Sequence, residues 1–104
     1  MSTFSYSIEQ LGDRPVAKVE GEIDLAAVDG FEGAIDALTA EAGDRDALLD
    51  MADVTFLDSS GLRVLMKAHQ RWTDAGSTLT IRNPSSAVSR ILEITGLLDK
   101  LDLE

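Results

Sequence analysis

The apolar positions of the chain follow two different periods, and the changes between them mark the predicted strands and helices. Residues 4–10, FSYSIEQ, alternate strictly, with Phe4, Tyr6 and Ile8 on one face and polar side chains on the other. This alternation is typical of a half-buried strand. After the turn residues of LGDRP, the run VAKVEGEI at residues 16–23 predicts a second strand that pairs with the first as a hairpin.

Helices and strands alternate in the rest of the chain. Apolar residues at helical spacing, each series ended by a glycine, predict helices over residues 24–43, 60–76 and 83–96. Short apolar or alternating runs at residues 46–51 and 77–82 predict two further strands between these helices.

The C-terminal segment LLDKLDLE, residues 97–104, predicts a last turn or helix that docks through Leu97, Leu98 and Leu101. The resulting order is β-β-α-β-α-β-α plus a C-terminal helix. We therefore expect residues 1–104 to form a single α/β domain, in which a mixed sheet of four to five strands packs with about four helices.

Composition limits the chemistry that the chain can perform. Cysteine is absent, which excludes disulfides and thiolate nucleophiles, and His69 is the single histidine, so no metal centre is expected. The start of the chain, MSTFSYSIEQ, lacks a basic segment followed by an apolar one, so no secretory signal is predicted. Because no apolar run is long enough to span a membrane, we expect a cytoplasmic protein.

The formal net charge of −10 comes from nine Lys and Arg against nineteen Asp and Glu residues. Such a charge repels nucleic-acid phosphates and anionic lipids, so neither is an expected partner. The charge is compatible with a protein partner and also with solubility alone, and it does not separate the two.

The segment FLDSSGLRVLMKAH at residues 56–69 holds the candidate chemistry. A nucleophile elbow needs glycine two residues before the serine, and Leu57 and Asp58 occupy those positions for Ser59 and Ser60. The only histidine follows on the same predicted helix, about 15 Å along its axis from Ser59. We therefore expect no catalytic residue.

The chain lacks the residues that two other phosphate chemistries require. The chain has no GxxxxGK[ST] loop and no GxGxxG turn, so it has no machinery for nucleotide hydrolysis and no expected cofactor. The carboxylates of Asp50, Asp53 and Asp58 suggest a magnesium or aspartyl-phosphate site, but the earlier strand lacks the acidic partners of such a site. Solvated carboxylates are the better interpretation.

The motif DSSG is typical of a helix N-cap, because Asp and Ser oxygens accept hydrogen bonds from first-turn N–H groups. A phosphate acceptor is compatible with this position, since a helix N-terminus stabilises negative charge. The spacing alone does not distinguish Ser59 from Ser60.

Three segments in order, GEIDL at 21–25, LLDMADVTFLDSSGLRVL at 48–65 and RILEITGL at 90–97, resemble the STAS domain family. More narrowly, they resemble the bacterial anti-sigma factor antagonists. The likeness runs from about residue 4 to about residue 102, so it covers nearly the whole chain.

The resemblance implies a partner-switching mechanism. The unphosphorylated antagonist binds an anti-sigma factor that is also a serine kinase and thereby releases the sigma factor; phosphorylation ends the binding, and a serine phosphatase of the PP2C type resets it. The family's acceptor serine maps to Ser59, with Ser60 as second choice and as the expected helix cap. We expect the partner-binding surface to comprise six residues: Asp24, Asp58, Ser59, Ser60, Gly61 and Arg63. No metal is implied, and a monomer is expected.

Three of these assignments have alternatives. Asp24 is equally an N-cap of the first helix. Arg63 stands where family members often carry a small residue, and with Lys67 and Arg71 it forms a basic stripe, which is either a solvated helix face or a partner for a phosphate on Ser59. At the level of function, the alternative is a non-phosphorylated STAS subunit that docks on the ATPase of a transport complex.

Overall fold

The computed structural model describes residues 3–104; Met1 and Ser2, at the start of the predicted domain, lie outside the described residues. The first seven elements follow the predicted order: β1 (Ser5–Leu11), β2 (Arg14–Ile23), α1 (Val28–Ala42), β3 (Ala47–Leu57), α2 (Ser59–Asp74), β4 (Leu79–Arg82) and α3 (Ser86–Ile94). A fifth strand, β5 (Asp102–Leu103), follows where a C-terminal helix was predicted. Two short 3-10 turns, Leu25–Ala27 and Leu98–Lys100, precede α1 and β5.

The five strands form one mixed sheet in the order β1-β2-β3-β4-β5. β1 is antiparallel to β2, as expected for a hairpin, and the remaining neighbours are parallel. The longest parallel pairing joins β2 and β3, from Val16 opposite Leu48 to Ile23 opposite Leu57. These two strands therefore end side by side, and the chain leaves both at the same edge of the sheet.

The core lies between the sheet and the apolar faces of α1 and α2. Its largest fully buried side chains come from the sheet and from these two helices: Phe31, Ile23, Leu38, Leu49, Met51, Leu65, Leu79 and Ile81. Trp72, near the C-terminal end of α2, is also buried, and its indole Nε1 donates to the carbonyl of Arg45 at 3.2 Å. Packing of this kind supplies most of the stability of amphipathic helices.

Helix α3 packs beside the C-terminal half of β3. β4 pairs only with residues 47–50 of β3, so the rest of β3 lacks a strand neighbour on that side. The N–H of Ser85 donates to the carbonyl of Met51 at 3.2 Å, and α3 buries Val88 and Leu92. This hydrogen bond places the start of α3 beside Met51, six residues before β3 ends at Leu57.

The C-terminal tail forms the predicted turn, but as a 3-10 turn rather than an α-helix, and then adds the short strand β5. Leu101 is buried as expected, whereas Leu98 is exposed. The N–H of Glu104 donates to the carbonyl of Ile81 at 2.9 Å, so the last residues extend the sheet. A segment this short gains more hydrogen bonds from an existing strand than from an isolated helix.

Two further expectations need correction. Tyr6, placed by its alternation on the inward face, is 43% exposed because β1 lies at the edge of the sheet. The strand predicted at residues 46–51 continues to Leu57, where its last pairing is with β2.

None of the helices within residues 3–104 is long and apolar enough to cross a membrane.

Candidate functional site

The ends of β2 and β3 bring two predicted site residues together. Ile23 lies opposite Leu57 in the parallel register, and the N–H of Asp58 donates to the carbonyl of Ile23 at 3.3 Å. Asp24 and Asp58 each directly follow these strand ends. Because the carboxyl ends of parallel strands are where α/β proteins place their binding residues, this edge is the candidate site.

Asp58 is the N-cap of α2. Its backbone is extended, and its Oδ1 atom accepts from the N–H groups of Ser60 at 3.0 Å and Gly61 at 3.2 Å. The expectation that Ser60 is the cap is therefore wrong. The aspartate precedes the first helical residue, so its carboxylate faces the free N–H groups of the first turn.

The two adjacent serines have different environments. The hydroxyl of Ser60 is half-buried and donates to Asp58 Oδ1, with 2.5 Å between the two oxygens. Ser59, the first residue of α2, is exposed, and its hydroxyl makes no hydrogen bond with any residue from 3 to 104. Of these two serines, Ser59 alone thus has a free hydroxyl at the surface.

The same hydrogen bonds change the acidity of Asp58. The Ser60 hydroxyl, with the N–H groups of Gly61 and Ser60, holds the pKa of Asp58 below its usual value, although partial burial acts in the opposite direction. Hydrogen bonds to the ionised form favour that form. Asp58 therefore stays ionised at neutral pH, and the site is anionic before any modification.

Gly61 permits close packing of α2 against the strand ends. A Cβ atom at this position would lie 2.6 Å from both Ile23 Cγ2 and Leu57 Cδ1, and 3.0 Å from the carbonyl oxygen of Ile23. Real Cβ atoms essentially never come within 3.0 Å of another heavy atom. The glycine of DSSG is thus required for the position of the serines.

Asp24 caps the short 3-10 turn that precedes the first helix. Its Oδ1 accepts from the N–H of Ala27 at 3.2 Å, and α1 begins only at Val28. The predicted cap is present, but the element that it caps is the 3-10 turn rather than α1. The next residue, Leu25, is 78% exposed.

Of the basic stripe on α2, only Arg71 has an ion-pair partner. Its guanidinium lies 3.3 Å from Asp36 and donates to Thr39 at 3.0 Å, both on α1. Lys67 is exposed and lines a small cleft between the two helices. Arg63 is exposed one turn after Ser59 and forms no ion pair with any acidic side chain of residues 3–104.

The other candidate residues do not converge on this site. Asp50 accepts from the N–H of Ala52, and Asp53 is exposed farther along β3. His69 Nε2 lies 3.2 Å from an oxygen of Asp102, at the opposite end of α2 from Ser59. Within the described chain, no three His, Asp or Glu side chains lie close enough to hold a metal ion.

The sequence reasoning missed exposed apolar residues near the site. Phe56, which directly precedes Leu57, is 47% exposed, and Ile94 is 74% exposed. Both line a groove of about 340 Å³ between β3 and α3, which Leu57 and Arg90 also border. The alternation along β3 indicated that Phe56 points outward. The groove, however, also needs α3, whose position beside β3 could not be read from the sequence.

Residues 5–104 match the STAS domain family. The anti-sigma-B factor antagonist of Staphylococcus aureus is 30% identical over 82 residues, which are 79% of this chain and 75% of that protein. The antagonist of the same name from Staphylococcus epidermidis matches with the same identity and coverage.

Solved structures give the same result. The crystal structure of an anti-sigma factor antagonist from Mycobacterium paratuberculosis has a TM-score of 0.83 at 26% identity and covers 97% of this chain and 85% of its own. The Bacillus cell fate determinant SpoIIAA, in its phosphorylated form, has a TM-score of 0.69 at 18% identity, with coverages of 96% and 91%. The latter likeness shows the fold alone.

The fold, the position of the DSSG motif at the end of β3 and the likenesses to known proteins all indicate one family. The chain belongs to the STAS domain family and, within it, to the anti-sigma factor antagonists.

Proposed function

We propose that the unphosphorylated chain binds an anti-sigma factor that is also a serine kinase, and that phosphorylation of Ser59 ends this binding. The observation that carries the proposal is the difference between the two serines. Ser59 is exposed with a free hydroxyl, whereas the hydroxyl of Ser60 donates to Asp58.

A kinase must reach the acceptor oxygen and remove its proton. The proton of Ser60 is already donated to a carboxylate at the helix cap, so its transfer would break a hydrogen bond that orients the first turn of α2. Phosphorylation of Ser59 breaks no hydrogen bond of the described chain. The geometry thus supports Ser59 over Ser60 as the acceptor, in agreement with the family motif.

The position also tolerates the product. Ser59 is the first residue of a sixteen-residue helix, where the helix dipole favours a negative charge. The nearby carboxylate of Asp58 repels a phosphate, but this charge is already engaged by two N–H groups and one hydroxyl. The domain can therefore carry the phosphate without refolding.

The proposed docking surface surrounds this serine at the edge of the sheet. It comprises the six residues Asp24, Asp58, Ser59, Ser60, Gly61 and Arg63. The exposed side chain of Leu25, next to Asp24, adds apolar area to the same edge. Burial of apolar surface is the dominant favourable contribution to most protein–protein association.

A phosphate of charge about −1.5 to −2 on this surface would have to be desolvated on binding. A penalty of about 3 kcal/mol weakens an affinity by roughly a hundredfold. This factor is enough to reverse a competition between the antagonist and a sigma factor for one anti-sigma factor. The chain itself acts as a kinase substrate, a serine phosphatase of the PP2C type returns it to the binding form, and the cycle takes place in the cytoplasm.

The test uses an anti-sigma factor kinase from the same organism and three forms of this chain: unmodified, with phosphoserine incorporated at position 59, and with phosphoserine at position 86. Ser86 is a matched control, because it is also exposed and also the first residue of a helix, but lies at the start of α3 near Met51.

We expect the unmodified and position-86 forms to bind with similar dissociation constants. The position-59 form should bind at least a hundredfold more weakly. If both phosphorylated forms bind as tightly as the unmodified chain, the proposal fails. If both lose affinity equally, the loss reflects total charge, and the surface around Ser59 is not the docking site.

A further inference from the structure

We infer that Arg63 is the intramolecular partner of the phosphate on Ser59, so that the phosphorylated form carries a built-in ion pair at the start of α2. The inference rests on the proposed function, because it needs a phosphate on Ser59. It adds a role that the binding cycle does not require, namely that this chain stabilises its own phosphorylated state.

The spacing of the two residues favours contact. Ser59 and Arg63 are four residues apart on α2, and side chains at this spacing lie on one face, with Cβ atoms about 5–6 Å apart. A helical side chain also leans toward the N-terminus of its helix. This direction allows the Arg63 side chain to reach the turn that contains Ser59, where its N–H groups can donate to two phosphate oxygens.

Arg63 has no ion-pair partner in the described chain, whereas the other two basic side chains of the stripe lie against α1. Arg71 is held by Asp36 and Thr39 of α1, and Lys67 lines the cleft between α1 and α2, where Glu32 and Asp36 supply carboxylates. Arg63 does not line this cleft and has no ion pair. One exposed guanidinium is thus left beside the exposed serine.

The acidic groups near Ser59 would repel its phosphate, so a neighbouring positive charge would stabilise the phosphorylated form. Asp58 directly precedes Ser59 and stays ionised, and Asp24 lies at the neighbouring strand end. The phosphate would otherwise add its charge to two carboxylates and to a chain of net charge −10. Arg63 is the basic side chain nearest in sequence to Ser59, and it offsets this repulsion locally.

The pair has a consequence for regulation. A phosphatase must bind the phosphate of Ser59 with its own cations, and it must first displace the guanidinium of Arg63. The phosphorylated form would therefore be dephosphorylated more slowly than one with a small residue at position 63. The chain itself would then lengthen the lifetime of the released state.

The experiment is a phosphorus-31 NMR titration of the full chain with phosphoserine incorporated at position 59 during synthesis, at 0.15 M salt. The readout is the second pKa of the phosphate, which a neighbouring guanidinium lowers because it favours the dianion. The variants are Arg63→Gln and Lys67→Gln. Both remove one positive charge from an exposed site on α2, and glutamine keeps the helix propensity.

We expect Arg63→Gln to raise the phosphate pKa by about 0.2–0.4 pH unit, the size of a pairwise interaction on a helix face. Lys67→Gln should raise it by less than half as much, because Lys67 lies about 12 Å along the axis from Ser59, beyond the screening length. Equal shifts in the two variants, or no shift in Arg63→Gln, would overturn the inference.

The result of the titration does not depend on whether Ser59 is phosphorylated in cells. Because phosphoserine is introduced directly, the titration reports on Arg63 even if no kinase modifies Ser59. Absence of a phosphate on Ser59 in cells would defeat the proposed function, whereas a phosphate pKa that is insensitive to Arg63 would defeat only the ion pair.

Discussion

Asp58 and Ser60 are joined by a hydrogen bond of 2.5 Å between the carboxylate Oδ1 and the serine hydroxyl, and this contact separates the roles of two adjacent serines. The carboxylate also accepts two N–H groups of the first turn of α2, so the bond is part of the helix cap. Ser60 is thereby a structural residue, and Ser59 is left exposed.

Substitution of the two serines should have different effects on stability. We expect Ser60→Ala to lower the free energy of unfolding by about 1.5–3 kcal/mol, because it removes a hydrogen bond to a charged group. Ser59→Ala should leave this free energy unchanged or slightly raised, since the exposed hydroxyl has no partner and alanine favours helix. Urea denaturation of both variants measures the difference. Equal losses would contradict the division of roles.

The cap should make stability depend on pH in the acid range. The pKa of Asp58 is lowered in the folded chain, so its contribution is complete above the unfolded aspartate pKa of about 3.9 and is lost as pH falls through the folded value. Asp58→Asn keeps a capping side chain but removes the ionisation. The stability advantage of wild type over this variant should therefore be largest near pH 6 and shrink toward pH 3.

This comparison is made by denaturation at several pH values, so that the other carboxylates, present in both proteins, cancel. A difference between wild type and Asp58→Asn that is constant from pH 6 to pH 3 would show that the Asp58 carboxylate has the same pKa in both states.

Gly61→Ala should destabilise the chain by about 1–3 kcal/mol. The added Cβ would meet the side chains of Ile23 and Leu57 and the carbonyl of Ile23, so α2 would have to move away from the sheet. Gly33→Ala on α1 is the matched control, because nothing lies within 4 Å of its Cβ position. That variant should gain up to about 1 kcal/mol from helix propensity.

Thermal denaturation of the two glycine variants gives shifts of opposite sign if this packing is correct. An equal gain in both would show that the contact between the start of α2 and the ends of β2 and β3 is looser than described.

Leu25 provides a test of the docking surface that is independent of the phosphate. Leu25→Ser should weaken binding to the anti-sigma factor by about tenfold or more, because a side chain that is 78% exposed in the free chain is buried by the partner. The free energy of unfolding of Leu25→Ser should equal that of the wild type. Leu11→Ser is the control, since Leu11 is also exposed but is the last residue of β1, where it pairs with Arg14 at the start of β2, far from the end of β2 that precedes Asp24. Equal affinities for the two variants would place the docking surface elsewhere.

Much of this fold could be predicted from local patterns. The period of the apolar residues gave the hairpin, the three helices and the order of the main strands, because each of these buries one continuous face. The tail was harder to predict. β5 has only two residues, and its pairing with β4 depends on the folded sheet rather than on its own sequence.

The candidate site, like the tail, could be predicted only in part from local sequence patterns. The motif DSSG predicted a capped helix, but Asp and Ser are both good caps, and only the structure identifies Asp58 as the one whose carboxylate meets the first-turn N–H groups. The neighbouring position of Asp24 came from the parallel register of β2 and β3, and the apolar groove near Phe56 from the position of α3. Contacts between distant segments were not encoded in any local period.

The central claim is that Ser59 is the phosphate acceptor, and the most direct measurement is a mass-spectrometric map of the chain recovered from its own cells, wild type beside Ser59→Ala. Trypsin should release residues 46–63 as one peptide, and fragmentation separates the two serines within it. We predict a phosphate on Ser59 that disappears in the variant. A phosphate that persists on Ser60 would contradict the site, and no phosphate under any growth condition would contradict the switch and favour a non-phosphorylated subunit of a transport complex.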